Sequence, residues 1–270
     1  MGADIKALRN RIKSVDSTLH LTKAMGLVAS SKIRRATDAM LKSREYAGAL
    51  ESVVTALTAC RECETSPYLK KRDGARTRIL VIMGDRGMAG GYNANIARLA
   101  AEYPDADFYP IGKRALDRFG HRAEAIPSSE HVSDDEIASL AHLLCEDFKT
   151  GQYDRLGLMS TEYVSMLTQT AKIDWILPLS RNEDTGDVGI LFEPDETSIL
   201  NAVIPTYVGG RIFAAIRDSF ASEVAARRAA MDSAGKNAQT MIDDLQLKYN
   251  RARQSAITQE ITEIVAGAGD

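Results

Sequence analysis

Residues 5–57 read IKALRNRIKSVDSTLHLTKAMGLVASSKIRRATDAMLKSREYAGALESVVTAL. Steps of alternately three and four residues from Ile5 reach Leu8, Ile12, Val15, Leu19, Thr22, Gly26, Ala29, Ile33, Ala36, Met40, Ser43, Ala47, Leu50, Val54 and Leu57. Thirteen of the sixteen positions, Ile5 included, are apolar. A seam sustained over about seven heptads exceeds the three or four that mark a coiled coil. A helix over roughly 4–58 would be about 80 Å long. That is far beyond the width of a small domain, so it must project and find a partner helix.

The rest of the chain supplies one. All seven prolines lie between Pro67 and Pro205, with eleven of the nineteen glycines. Proline breaks long helices, so the chain divides into a helical arm over 1–66, a mixed segment over 67–205 and a second arm over 206–270. In the second arm Ile212, Ile216, Phe220 and Val224 open a stripe. Met231, Ala234, Ala238, Met241 and Leu245 continue it, and Tyr249, Ala252 and Ala256 follow after one irregular step. The many alanines would let two helices approach closely. The expected pairing is intramolecular and antiparallel.

The middle alternates strand and helix signals. RILVIM (78–83), FYPIG (108–112), RLGLMST (155–161) and DWILPL (174–179) read as strands. Helices are expected from about Asn93 to Glu102, over Lys113–Phe119, and to about Lys149 behind a Ser133/Glu136 capping box. This order predicts a small parallel or mixed sheet flanked by helices. VGILFEPD (188–195) then leads into the second long helix through Pro205 and the Gly209-Gly210 pair.

The composition, 44% apolar and 26% charged, fits a globular chain rather than a disordered one. The net charge of −3 conceals a strong division. Residues 1–78 carry 16 basic and 8 acidic side chains, residues 79–205 carry 10 and 21, and residues 206–270 carry 8 and 8. Lys6, Arg9, Arg11, Lys13, Lys23, Lys32, Arg34 and Arg35 face only Asp16 within 6–35. Such a segment should seek an acidic surface. Cys60, Cys63 and Cys145 are too few for a disulfide framework. The first residues show no signal-peptide core, and no uncharged apolar run reaches 18 residues. The expectation is a soluble chain, or one held at a membrane through a partner.

Gly84-Asp85-Arg86-Gly87-Met88-Ala89-Gly90-Gly91-Tyr92-Asn93 sits where a phosphate loop would, between first strand and first helix of the mixed segment. It matches neither GxGxxG nor GxxxxGK[ST]. A tight strand-to-helix turn is favoured over a nucleotide site. The Cys60-Arg61-Glu62-Cys63 pair lacks a second pair for zinc and a βαβ setting for redox chemistry. His20, His121, His131 and His142 have no metal spacing. The sequence therefore nominates no catalytic, cofactor-binding or metal-ligating residues. The C-terminal run to Ile264 and Val265 is unusual in ending apolar, which implies that something encloses it.

With these residues in view the chain resembles the gamma subunit of the F-type ATP synthase, the family of central rotor shafts. The likeness rests on IKALRNRIKSVDSTLHLTKAMGLVASSKIRRA, on GDRGMAGGYN and on the run from Ala221 to Ala268. It implies an α/β fold with a long antiparallel two-helix coiled coil formed by both termini and a central Rossmann-like α/β domain. It also implies a non-catalytic subunit without cofactor or metal, located peripherally on the cytoplasmic face of the bacterial cell membrane. Its partners would be the alpha and beta subunits, the epsilon subunit and the membrane c-ring. Carried over by position, Arg253, Gln254, Thr258, Glu260, Lys23 and Met25 would contact beta subunits, and Phe192 and Glu193 the c-ring. Met88-Ala89 replaces the family's Leu-Cys, and Arg228 stands where Met is common. The alternatives are a nucleotide-dependent α/β enzyme with coiled-coil arms, and a scaffold binding nucleic acid or anionic membranes through the basic helix.

Overall fold

The computed structural model describes residues 2–72, 74, 76–120, 126–181, 193 and 195–267, with side chains from residue 4 onward. The chain forms two compact units, residues 31–226 and residues 1–30 with 227–270. Two long helices contribute to both: α1 (Gly2–Ala59) and α5 (Glu196–Gly267).

In the larger unit β1 (Thr77–Ile82), α2 (Tyr92–Ala100), β2 (Asp107–Ile111), α3 (Lys113–Phe119), α4 (Asp134–Lys149), β3 (Arg155–Tyr163) and β4 (Gln169–Leu177) follow in order. The sheet order is β2-β1-β3-β4. The first three strands are parallel and β4 returns antiparallel to β3. The expected parallel-or-mixed sheet is thus mixed, and β4 starts at Gln169 rather than near Asp174. The strand period of two distributes the β1 side chains between two cores. Ile79, Val81 and Met83 pack with Ile96, Ala100 and Ala115. Leu80 and Ile82 join Leu140, Leu144 and Phe148 of α4 and Leu200, Ile204 and Val208 of α5.

α4 starts at the capping box read from the sequence: the Glu136 N–H donates to the Ser133 hydroxyl, and the Ser133 N–H to the Glu136 carboxylate. α5 starts at Glu196, so Pro205 lies inside it and the 205/206 boundary falls within a helix. One 18-residue window of α5 is apolar enough to resemble a membrane span, with mean hydropathy 1.4. The row Leu200, Ile204, Val208, Ile212 and Ile216 is buried in the core. Within this unit α1, α5 and the β3–β4 hairpin are tied by one ion pair. Arg44 donates twice to Asp218 at 2.7 and 2.9 Å and once to the Tyr163 carbonyl, while the Tyr163 N–H donates to Asp218.

In the smaller unit α1 and α5 run antiparallel. Arg9 donates to the Tyr249 hydroxyl at 3.0 Å. Leu19 packs with Ala238 and Ile242, Gly26 faces Met231, and Arg228 donates to the Ser30 hydroxyl at 2.6 Å. All sixteen positions of the α1 seam are buried or half-buried in their own unit. The α5 seam needs a correction. Ile242 is 5% exposed and Met241 45% exposed. From Ala238 the repeat therefore runs Ile242, Leu245, Tyr249, Ala252 and Ala256, and the irregular step falls at Ala238–Ile242 instead of after Leu245. Ile242→Asp should cost about 2–3 kcal/mol by placing a charge in this contact, and Met241→Asp about 0.5 or less. Thermal unfolding of the two variants followed by helical circular dichroism separates them; equal losses would contradict the assigned seam.

Candidate interaction surfaces

The antiparallel register decides what α5 leaves uncovered. Arg9 meets Tyr249, and beyond that level the side chains of α5 are mostly exposed. Ile257, Ile261, Ile264 and Val265 are 47–68% exposed. Four branched apolar side chains on an open helix end mark a docking surface. Arg253, Gln254, Thr258 and Glu260 are exposed on the same segment.

A second surface lies on α1. Lys6, Arg11, Lys13 and Lys23 are exposed and none has a carboxylate partner among the described residues. Met25 is half-buried beside the exposed Leu27, so Lys23 projects more fully than Met25. Thr22 lies opposite Gly235, about 27 Å along α5 from Arg253 at 1.5 Å per residue. The structure therefore does not bring the two sets together. They are separate levels of one helix pair. Glu193 is exposed, and Phe192 falls outside the described residues.

The glycine-rich turn is closed by the protein's own groups. The Gly84 N–H donates to the Asn93 amide oxygen at 3.0 Å. A Cβ at Gly84 would lie 2.6 Å from the Glu223 carboxyl carbon, so a larger residue here would have to push the Glu223 carboxylate aside. Asp85 accepts from the Lys113, Ser129 and Glu130 N–H groups and from the Ser128 hydroxyl, at 2.7–3.2 Å. Met88 at φ 59° and Gly90 at φ 57° complete the turn. This is the tight turn the sequence favoured.

Burial opposes ionisation of Asp85, but the hydrogen bonds from Ser128, Ser129, Lys113 and Glu130 outweigh it and hold the carboxyl below its ordinary value. A depressed folded value stabilises the fold above the unfolded pKa of about 4 and is lost as pH falls through the folded value. Urea midpoints between pH 6 and 3 should therefore show Asp85→Asn less stable than the parent above about pH 4, with the gap closing below it. A gap independent of pH would overturn this role.

The Cys63 and Cys145 thiols are not activated. Burial pushes Cys63 up to about 11, with Cys60 and Glu196 adding to it. Burial likewise pushes Cys145 up to about 12. Both are protonated at neutral pH and nucleophilically weak. Among the described residues no group of three His, Cys, Asp or Glu side chains is placed to hold a metal ion.

Comparison with known proteins identifies the family of the chain. A family model described as ATP synthase matches residues 4–269. The ATP synthase gamma chain of Moorella thermoacetica is 38% identical, over 98% of each chain. That of Ruminococcus albus is 39% identical, over 97% of this chain and 96% of the relative. The "ATP synthase gamma chain, sodium ion specific" of Acetobacterium woodii is 35% identical over 99% of each. Among solved structures, a chain of the Euglena gracilis mitochondrial ATP synthase (OSCP/F1/c-ring) aligns with TM-score 0.69 at 18% identity, covering 98% of this chain and 94% of that one. A chain of the Tetrahymena thermophila mitochondrial ATP synthase central stalk/c-ring aligns with TM-score 0.59 at 22% identity, covering 79% and 99%. At those identities the structural likeness speaks to the fold.

Proposed function

Because the chain belongs to the ATP synthase gamma-chain family, we propose that it turns as the shaft that transmits torque between a membrane c-ring and a catalytic alpha/beta hexamer. It is the central-stalk subunit and is itself non-catalytic. Coupling ion movement to ATP synthesis or hydrolysis then falls to its surfaces rather than to a reaction centre.

The two terminal helices act as a long antiparallel coiled coil. The Arg9–Tyr249, Leu19–Ala238 and Ser30–Arg228 contacts support that reading in the smaller unit. The exposed tip of α5 turns in an apolar sleeve formed by the hexamer, and Arg253, Gln254, Thr258 and Glu260 touch beta-subunit loops near it. Lys23 and Met25 meet acidic beta-subunit loops at the lower level. Phe192 and Glu193 face the c-ring, and the epsilon subunit binds beside the central α/β domain. The complex holds this chain peripherally on the cytoplasmic face of a bacterial membrane.

Physically, an asymmetric shaft shifts a catalytic subunit between open and closed forms only by its differential contact free energy with the two. The observation that carries the proposal is the uncovered tip, where Ile257, Ile261, Ile264 and Val265 remain in water. A tagged chain co-expressed with alpha and beta subunits should purify with both in a complex that hydrolyses ATP, while the chain alone should not. Micromolar ATP binding by the isolated chain, or purification without alpha and beta, would contradict it.

A further inference from the structure

A groove in the larger unit lies between α1 and α4, over α5, with a volume of about 680 Å³. Arg35, Lys42 and Tyr46 line it from α1, Ala138 from α4, and Phe213 and Arg217 from α5. Arg35 and Tyr46 are eleven positions apart, so the groove extends for about 16 Å, or three helical turns.

The groove gathers three cations along one apolar bed. Several cations elsewhere in the unit are matched: Lys32 with Glu130, Arg44 with Asp218, Arg78 with Asp107 and Asp147, Arg211 with Glu51. Others, such as Arg34, Lys70 and Arg118, have no carboxylate partner among the described residues. Arg35, Lys42 and Arg217 have no carboxylate partner among the described residues, and Asp134 is the one carboxylate in the groove's lining. Arg217 instead lies over the Phe213 ring at 4.8 Å. Tyr46, 51% exposed, presents an open aromatic face. The groove thus combines an apolar bed of three-turn length with three unneutralised cations along it.

We infer that this groove, lined by Arg35, Lys42, Tyr46, Phe213 and Arg217, docks an acidic amphipathic helix of a partner protein. The partner's apolar face lies on Tyr46, Ala138 and Phe213, as in other helix-in-groove complexes. Its carboxylates pair with the three cations, which aid both recognition and encounter rate. A bound inorganic or small organic anion would use the cations but leave the apolar bed uncovered. The docking goes beyond the shaft contacts proposed above, which lie on other residues.

The test places the photo-cross-linker p-benzoylphenylalanine at Ala138, an exposed position, in the chain assembled with its complex. After irradiation the adduct is sequenced by mass spectrometry, and a peptide of the adduct's sequence is titrated onto the chain. The expected adduct is a helical segment with Asp or Glu along one face. Its peptide should bind at least tenfold more weakly to Lys42→Glu/Arg217→Glu, and more weakly at raised salt. Circular dichroism of that variant checks its fold; if it does not fold, Lys42→Gln/Arg217→Gln takes its place. No adduct in an assembled complex, an adduct to a segment without an acidic face, or undiminished affinity in the folded variant would overturn the proposal. Loss of assembly in the parent chain would instead count against the stalk assignment, so the two failures are distinguishable.

Discussion

Gly112→Ala should destabilise the larger unit more than either Gly120→Ala or Gly48→Ala. Gly112 has φ +94°, and a Cβ there would lie 2.1 Å from the Met83 carbonyl oxygen. That oxygen belongs to backbone tied into the sheet, because the Met83 N–H donates to the Ile111 carbonyl. It cannot retreat as a flexible side chain could. Gly112 also donates to the Ile126 carbonyl and receives the Ala115 and Leu116 N–H groups that open α3. Left-handed strain of about 1–2 kcal/mol and overpacking of about 1–3 kcal/mol add to a loss of about 2–5 kcal/mol. That is a large share of a typical domain's total of about 5–15 kcal/mol. Gly120 has φ +90° but open space around it. Gly120→Ala should therefore cost only the strain, about 1–2 kcal/mol. Gly48→Ala, in mid-helix with nothing within 4 Å, should stabilise by about 0.5–1 kcal/mol. Urea midpoints of the three variants check the order, and equal effects at Gly112 and Gly120 would contradict the close approach to Met83.

The largest functional effect should come from Arg253→Ala with Gln254→Ala. Both side chains are exposed on α5, and neither has a hydrogen bond or ion pair among the described residues. Alanine is the better helix former, so folding should be unaffected. Any loss must then arise where these side chains meet another chain. Truncating a hot-spot residue, a class in which Arg is enriched, costs about 2 kcal/mol or more, so coupled ATP synthesis should fall at least tenfold while the complex still assembles. Unchanged synthesis in an assembled complex would remove these residues from the contact surface.

Much of the architecture can be read from periodicity, because a seven-residue repeat constrains each helix along its whole length. Every α1 seam position from Ile5 to Leu57 is at least half-buried. The α5 seam was ambiguous only where Met241 and Ile242 sit side by side, since either apolar residue fits a step of three or four. Local chemistry also located the Ser133 capping box correctly, because both partners lie within one turn. The antiparallel return of β4 was not legible. Of its first residues, Gln169, Ala171 and Lys172 are half-buried and Thr170 is exposed, and they are mixed in polarity, as on an edge strand with one wet face.

Long-range constellations were hidden for a different reason. Asp85 gathers donors 28 to 45 positions away, and no spacing rule links them. The groove of Arg35, Lys42 and Arg217 likewise depends on which helices lie side by side. Sequence exposed the basic bias of α1 but not that Lys32 is neutralised by Glu130 while Arg35 is not. The apolar end of α5 was legible as an anomaly, and in the structure Ile257, Ile261, Ile264 and Val265 are exposed there.

The central claim is that this chain turns inside an alpha/beta hexamer without doing chemistry itself. Its most direct test replaces Glu102, an exposed residue after α2, with cysteine to carry a bead, the hexamer being fixed to glass. On adding ATP the bead should rotate in one direction at a rate that follows ATP hydrolysis. Steady hydrolysis with a stationary bead on an assembled complex would contradict the account.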